Sequence, residues 1–245
     1  MTRTDLVAQG GYNMNANDEA YVETLYSVYN SKTTDENIPC ELLGARILFN
    51  AHDRISYASS EYIDNELAWY LSKDLSIKNH IGIENNKIWQ SVASDKGHVN
   101  SNYGWCIFSK ENNEQYNHVL GELIKDQKTK HAVMIYSRPT MNEEWNDNKH
   151  AKYDMICTVY VSYLLRAGKL NAFVHMRSND AWRGLRNDLA WQQYVLNKLV
   201  DDLNMNHVPC EHGAIYWNAD SLHLYARDKE KVKKILHETG HLVFD

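Results

Sequence analysis

The sequence predicts an α+β fold built as a single domain. Hydrophobic residues make up 43% of the 245-residue chain, enough for a sizeable core. Amphipathic helical segments mix with segments rich in β-branched and aromatic residues, without the regular alternation of a doubly wound parallel sheet. Only three prolines occur, and no Pro-rich or Ser-rich linker divides the chain. We therefore expect one domain over residues 21–245, preceded by a loose polar arm over residues 1–20.

Four segments have the spacing of amphipathic helices. Apolar residues recur in them every three or four positions, which is the period of one helix face. The predicted helices span residues 61–73, 113–126, 188–204 and 228–238.

Five segments gather the residue types that favour extended chain. They are rich in valine, isoleucine, threonine and aromatic residues and are short enough for strands. The predicted strands span residues 131–137, 155–165, 169–176, 213–217 and 221–226. Between the first and second predicted helices, residues 100–105 form a polar turn running into aromatic residues, which suits a loop that lines a pocket.

Charge and cysteine usage exclude several classes of protein. The net charge of −6 argues against duplex DNA as a partner. No segment approaches the length of a membrane span, and the polar first residues resemble no signal peptide. The four cysteines have no paired spacing, as expected for thiols in a reducing compartment. We expect a cytoplasmic protein that binds neither membranes nor nucleic acid.

Cys157 is the strongest candidate for chemistry. It lies in an apolar run, Arg177 follows twenty residues later, and two carboxylates, Asp180 and Asp188, come soon after. A thiol can attack an electron-poor carbon, an arginine can hold a phosphate, and a carboxyl group can move a proton. This order of groups suggests covalent chemistry on an anionic substrate.

Two further sets of residues have a functional and an ordinary interpretation. Glu66 falls among apolar helical neighbours, where desolvation would raise its pKa, yet composition alone favours a helix-edge glutamate reaching solvent. His223 and Tyr225 occupy alternate positions of a predicted strand and so share one face. They could point together into a cleft or belong to an ordinary half-exposed strand.

Residues 237–241 match the zinc-protease pattern H-E-x-x-H, but the context is poor. Only four residues follow His241, which leaves no room for a downstream third ligand. Gly240 also weakens the helix that would place both histidines on one face. The segment is better interpreted as the end of a surface helix.

Taken together, the chain resembles the thymidylate synthase superfamily, and most closely its deoxycytidylate hydroxymethylases of T-even-type bacteriophages. The similarity extends from about Glu41 to Tyr225. It is carried by residues 66–70, 87–94, 100–105, 134–139, 157–158, 176–180, 186–192 and 221–225. So many ordered matches are more specific than any one of them.

The resemblance implies a thymidylate synthase-like fold, with a large mixed β-sheet flanked by helices. It implies a homodimer formed through the sheet face, in which each site borrows groups from the partner. The implied reaction transfers a one-carbon unit from 5,10-methylenetetrahydrofolate to C5 of a pyrimidine nucleoside monophosphate, without a metal. A hydroxymethylase then adds water where a synthase delivers hydride.

The resemblance also implies a role for each matching residue. Cys157 would add to C6 of the pyrimidine, and Tyr103 would act near the proton transfer at C5. Glu66 would be the general acid/base, close to the folate. The binding roles would fall to Arg177 and Ser178 for the 5′-phosphate, His223 and Tyr225 for the sugar hydroxyl, and Trp89 and Asp180 for the folate.

Asp188 indicates which base is used. Synthases acting on uracil carry asparagine at this position, whose amide can donate to O4 and accept from N3–H. Cytosine reverses that pattern, and a carboxyl group sharing one proton with N3 and accepting from N4–H fits it. We therefore expect deoxycytidylate. Cytidylate or deoxyuridylate as substrate, a thymidylate synthase, and an inactive nucleotide-binding homologue remain alternatives.

The chain departs from the family pattern at one place. Family members usually have two adjacent arginines just before the strand residues 132–137, and these reach the partner's phosphate. Lys130 and His131 stand there instead. Lysine can neutralise phosphate but lacks the bidentate fork of arginine.

Overall fold

The computed structural model describes residues 14–141 and 154–242. The helices in these ranges are α1 (Ala16–Asn30), α2 (Ser60–Ser72), α3 (Lys87–Val92), α4 (Tyr103–Phe108), α5 (Gln115–Lys125), α6 (Gly184–Met205) and α7 (Lys229–Glu238). The strands are β1 (Cys40–Asn50), β2 (Val133–Ile135), β3 (Thr158–Arg166), β4 (Lys169–Met176), β5 (Asn179–Asp180) and β6 (Glu211–Leu224).

All six strands form one mixed sheet. The order is β1-β6-β4-β3-β2, and the short β5 pairs with β6. Strand β6 runs parallel to β4 and β5 and antiparallel to β1, while β3 is antiparallel to both β4 and β2. The predicted large mixed sheet with flanking helices is therefore confirmed.

The strongly periodic segments fold as predicted. The predicted helices 61–73, 113–126 and 228–238 correspond within two residues to α2, α5 and α7. Helix α6 begins four residues before the predicted 188, and the strand predicted at 169–176 is β4. The strands predicted at 131–137 and 155–165 are β2 and β3, with shorter or shifted bounds.

Helix α1 begins inside the segment predicted as a loose arm. Asn15 caps it, accepting a hydrogen bond from the backbone N–H of Asp18, whose carboxylate accepts in return from the backbone of Asn15. The helix buries Tyr21, Val22 and Leu25 and packs against β1 and α7. The arm prediction is therefore wrong for residues 16–20, because a capped apolar face outweighs their polar composition. Residues 1–13 lie outside the described residues.

The two short strands predicted at 213–217 and 221–226 are one strand, β6. The intervening residues Asn218, Ala219 and Asp220 resemble a turn in sequence, yet the β-ladder runs through them. Ala219 pairs with Ala45 on one side and with Met176 on the other. Because β6 is central, pairing on both edges holds the polar stretch extended.

The polar segment 100–105 is only partly the loop that the sequence predicts. Asn102 caps α4, accepting a hydrogen bond from the backbone N–H of Trp105. Gly104, in the first turn of this helix, faces α2, where an added Cβ would lie 1.8 Å from the carbonyl oxygen of Tyr70. Only glycine lets α4 approach α2 this closely.

The two faces of the sheet differ in burial. Alternate residues of β4 (Leu170, Ala172, Val174) are buried in the core with those of β3 and β6. The opposite face carries half-exposed aromatic residues and, on β1, Leu48 at 56% exposure, which pairs with Tyr216. No helix in the described ranges is long and apolar enough to cross a membrane.

Candidate active site

A cavity of about 510 Å³ brings together most of the residues that the sequence singled out. Strand register explains the convergence: Thr158 pairs with Met176, which sets Cys157 beside Arg177, and Asp180 pairs with His223. The sequence-predicted residues in the cavity wall are Glu66, Trp89, Tyr103, Cys157, Arg177, Ser178, Asp180, Asp188, His223 and Tyr225.

The thiol of Cys157 lies just before β3, next to Arg177. The Arg177 backbone N–H donates to the carbonyl of Cys157 at 2.9 Å, and Nη2 lies 3.9 Å from Sγ. The same guanidinium donates to the carbonyl of Ile156 at 3.0 Å, which fixes its direction. Burial raises the pKa of the Cys157 thiol to about 12, although the Arg177 charge opposes the rise. In the free protein Cys157 is therefore held as a thiol.

Glu66 is buried on the inner face of α2. Its exposure is only 6%, so the interpretation as a helix-edge glutamate reaching solvent is wrong. Its Oε1 accepts a hydrogen bond from the hydroxyl of Tyr62 at 2.7 Å. Burial raises the pKa of Glu66 to about 8, with the negative charge of Asp188 adding to the rise and the Tyr62 hydrogen bond opposing it. The group can therefore gain or lose a proton near neutral pH.

Asp188 comes from the second turn of α6 and is held by Asn179. The amide Nδ2 of Asn179 donates to Asp188 Oδ2 at 2.8 Å. Burial raises the pKa of Asp188 to about 7, while hydrogen bonds from Asn179 and Tyr103 oppose the rise. Sequence reasoning missed Asn179; its place directly before Asp180 in the matching run 176–180 was the available signal.

Glycine at the start of α6 makes room for this pair. A Cβ at Gly184 would lie 3.1 Å from Asn179 Nδ2 and 3.3 Å from Asp188 Oδ2. Contacts that short would push the amide or the carboxyl group aside. With glycine in the first turn of α6, neither Asn179 nor Asp188 has to give way by the few tenths of an ångström that a Cβ would require.

Two other carboxylates are anchored by backbone amides. Oδ1 of Asp180 accepts from the backbone N–H groups of Trp182 at 2.8 Å and Arg183 at 3.0 Å, just before α6 begins. Oδ2 of Asp154 accepts from those of Asn100 and Ser101 at 2.6 and 2.7 Å. Burial raises the pKa of both carboxyl groups, and these hydrogen bonds oppose the rise. They fix the loops around Cys157.

His223 lies near the end of β6, Tyr225 directly follows the strand, and both line the cavity. Leu222, which precedes His223, and Leu224, which lies between His223 and Tyr225, are fully buried on the core side. The rings of His223 and Tyr225 lie edge to face with centroids 5.0 Å apart. His223 is itself buried, so the interpretation as an ordinary half-exposed strand is wrong for this residue.

Three further arginines line the cavity that sequence reasoning did not single out. Arg183 makes a bidentate ion pair with the buried Asp228 at 2.6 and 2.9 Å. Arg186 lies 4.3 Å over the ring of Trp182 and donates to the carbonyl of Tyr57. Arg227 lies 4.4 Å over the ring of Tyr225. The cavity wall is thus suited to an anionic ligand although the whole chain is acidic.

Lys130 and His131 do not line the cavity. Both are exposed at the residues leading into β2, and the His131 side chain is 85% exposed. His131 Nδ1 lies 3.8 Å from Glu122 Oε2. Within one chain these residues therefore contribute nothing to the cavity wall.

The H-E-x-x-H segment directs its two histidines to different partners. His237 Nδ1 lies 3.1 Å from the carbonyl oxygen of Leu242, and His241 Nε2 lies 3.4 Å from Glu23 Oε1. Among the residues that the structure describes, no three histidine, cysteine or acidic side chains cluster as metal ligands would. All four cysteines fall in the described ranges, and none is in a disulfide.

Comparison with known proteins agrees with this geometry. Residues 56–242 match the profile of the family described as thymidylate synthase. Proteins from Enterobacteria phages T4, T2 and T6, each named deoxycytidylate 5-hydroxymethyltransferase, are 47% identical to this chain over 189 residues. The matched region covers 76% of this chain and 76% of each phage protein.

Proposed function

The chain belongs to the thymidylate synthase family, and on that premise we propose that it hydroxymethylates deoxycytidylate at C5. The co-substrates are 5,10-methylenetetrahydrofolate and water, and the products are 5-hydroxymethyl-deoxycytidylate and tetrahydrofolate. One observation carries the proposal: a partly buried carboxyl group, Asp188, lies in the wall of the cavity that holds the Cys157 thiol. A nucleophile and a group able to read cytosine therefore face the same space.

Asp188 distinguishes cytosine from uracil by the proton on its carboxyl group. With its pKa near 7, the group is available both protonated and ionised at neutral pH. The protonated carboxyl donates to N3 of cytosine while its other oxygen accepts from N4–H. Uracil presents N3–H and O4 at the same edge, which leaves donors and acceptors mismatched in a closed site.

Cys157 is the nucleophile that adds to C6 of the ring. Addition makes C5 electron-rich, and a proton on N3, supplied by Asp188, makes C6 more electrophilic. Arg177 and Ser178 hold the 5′-phosphate, and His223 and Tyr225 hold the sugar hydroxyl at the end of β6. Tyr103, hydrogen-bonded to Asp188, acts beside C5, where a proton must leave.

Further residues of the same cavity wall fit the folate. Ile88, Trp89 and Val92 give an apolar and aromatic wall, and Asp180 offers a carboxylate to the amino groups of a pterin. When bound, 5,10-methylenetetrahydrofolate supplies a one-carbon unit at the oxidation level of formaldehyde. Glu66, able to hold or release a proton near pH 8, positions the water that completes the hydroxymethyl group.

The active form is a homodimer joined through the open face of the sheet. That face carries two stacked pairs, Phe173 with Tyr216 and Tyr160 with His175, at centroid distances of 4.5 and 4.2 Å. Exposed aromatic and aliphatic side chains on a flat sheet are suited to a second copy of the same surface. Lys130 and His131 supply positive charge to the phosphate in the partner's site.

The protein acts in the cytoplasm of an infected host cell, because the similar proteins named above come from bacteriophages. Its product is a modified nucleotide for DNA synthesis. It needs no membrane and no direct contact with nucleic acid for this reaction.

The function is tested by incubating the protein and the folate with deoxycytidylate, cytidylate or deoxyuridylate and identifying the products by mass spectrometry. The expected product is 5-hydroxymethyl-deoxycytidylate, absent with Cys157→Ser. Preference for cytidylate or deoxyuridylate would reassign the substrate, and a methylated product would make the protein a thymidylate synthase. No turnover and no tritium release from C5-labelled nucleotide would leave an inactive nucleotide-binding homologue.

Shared sites are tested by mixing two impaired variants, Cys157→Ser and the double variant Lys130→Ala/His131→Ala. In the mixed dimer, one site combines an intact Cys157 with intact charges from the partner. We expect mixing and re-association to restore activity that the double variant alone lacks. No gain on mixing, with mixed dimers confirmed by native mass spectrometry, would refute the trans contribution.

A further inference from the structure

We propose that Tyr62 is a positioning residue that fixes the orientation and the proton of Glu66 and ties both to Trp89. This inference rests on the proposed function, because Glu66 and Trp89 matter only if the cavity performs the reaction. No role attaches to Tyr62 from the motif matches, although it lines the same cavity.

Helical spacing places Tyr62 beside Glu66. The two residues are four apart on α2, so their side chains adjoin on one face. The Tyr62 hydroxyl lies 2.7 Å from Glu66 Oε1, a short distance typical of a hydroxyl bonded to a carboxylate. The contact joins the general acid/base to a side chain of its own helix.

Trp89 sets the direction of that hydrogen bond. Its indole Nε1, on α3, lies 3.0 Å from the Tyr62 hydroxyl oxygen. An indole N–H can only donate, so the Tyr62 oxygen accepts from Trp89 and its hydrogen is free to point at Glu66. The chain therefore runs one way, from Trp89 through Tyr62 to Glu66.

The direction decides where Glu66 carries its proton. Burial, together with the Glu66 charge, holds the pKa of Tyr62 far above its usual range, so Tyr62 remains a donor at every working pH. Glu66 Oε1 is then always an acceptor, and the proton of neutral Glu66 resides on Oε2. A fixed proton position is what a general acid/base needs, since proton transfer requires hydrogen-bond reach and alignment.

The other titratable groups facing Glu66 do not provide this control. Tyr70 on α2 and Tyr103 on α4 are buried, and burial raises the pKa of both far beyond neutrality. Asp188 on α6 acts on Glu66 through its charge and raises its pKa. Tyr62 lowers the pKa of Glu66 by donating a hydrogen bond to it, and Trp89, whose indole N–H donates to the Tyr62 hydroxyl, lowers it as well.

The test is an infrared difference titration of the protonated Glu66 carboxyl, identified as the band lost in Glu66→Gln. Tyr62→Phe removes one donor to the charged carboxylate, so the Glu66 pKa rises by about 1 to 2 pH units. The matching limb of the pH profile of kcat is displaced in the same direction. Trp89→Phe, which keeps the Tyr62 hydroxyl, gives a smaller rise and carries the test if Tyr62→Phe does not fold.

Tyr116→Phe is the matched control. The Tyr116 hydroxyl donates to Asp202 Oδ2 at 2.7 Å, the same bond length outside the cavity. This variant leaves the Glu66 band and the kcat profile unchanged. An unmoved Glu66 titration in folded Tyr62→Phe, or in Trp89→Phe if that variant alone folds, overturns the inference. The infrared titration needs no turnover, so it tests this inference independently of activity. A wild-type protein that does not act on deoxycytidylate would refute the proposed function alone.

Discussion

Replacing Asp188 with asparagine is expected to change the preferred base from cytosine to uracil. Asn179 Nδ2 lies 2.8 Å from Asp188 Oδ2 and donates to it. An amide at position 188 would present its oxygen to that donor, which turns its NH₂ group toward the base. That NH₂ group meets an acceptor in O4 of uracil but a donor in N4–H of cytosine.

The size of the change follows from the burial of the site. A buried donor or acceptor left without a partner costs about 1–3 kcal/mol. The substitution removes one partner from cytosine and provides one for uracil, so two such contributions separate the bases. With 1.4 kcal/mol for each factor of ten, the ratio of kcat/KM values changes by about 30-fold to about 10⁴-fold.

The assay measures kcat/KM for deoxycytidylate and deoxyuridylate as a function of pH. In the wild-type protein, kcat/KM for deoxycytidylate falls as the pH rises above about 7, because Asp188 loses the proton that it donates to N3. The variant lacks that limb. Asp188→Leu, whose side chain can hydrogen-bond to neither base, is the control. It shows how much of the effect is a general loss of kcat/KM and how much is a change in the preferred base. An Asp188→Asn protein that still prefers deoxycytidylate would refute this account of base selection.

Three further outcomes are expected. Asn179→Ala removes a hydrogen-bond donor to ionised Asp188, so the pKa of Asp188 rises. The alkaline limb of the kcat/KM profile for deoxycytidylate then moves to higher pH by about 1 unit, and an unshifted limb contradicts this. Glu66→Gln is expected to stabilise the protein increasingly between pH 5 and 8, by up to a few kcal/mol in thermal unfolding. The folded pKa of Glu66 is about 8, above the ordinary 4.5, so the wild-type protein loses stability as the pH rises through that window. A stability difference that is independent of pH contradicts this. The rate at which iodoacetamide alkylates Cys157, measured by peptide mass spectrometry, is expected to rise about tenfold per pH unit up to pH 10. Arg177→Gln lowers that rate. A plateau in the rate below pH 9 contradicts a Cys157 pKa of about 12.

Local pattern predicted the elements whose apolar spacing is regular, and it failed where tertiary pairing overrides composition. Helix α5 and strand β4 follow from periodicity, which is a property of consecutive residues. Helix α1 was missed because its first residues are mostly polar and its apolar residues are less concentrated on one face than those of the predicted helices, and β6 was divided because Asn218–Asp220 resemble a turn. Both depend on neighbours distant in sequence: α1 on β1 and α7, and β6 on partners at both edges.

The same division holds for the site. The sequence by itself determined which side chains the chain offers, a thiol, a guanidinium and two carboxylates in a fixed order, and with them the family resemblance. Only the tertiary structure decided that Glu66 is buried, that Asn179 holds Asp188, and that Tyr62 joins Glu66 to Trp89. The physical reason is that desolvation and hydrogen-bond direction are sums over neighbours brought together by folding, and no local stretch of sequence contains them.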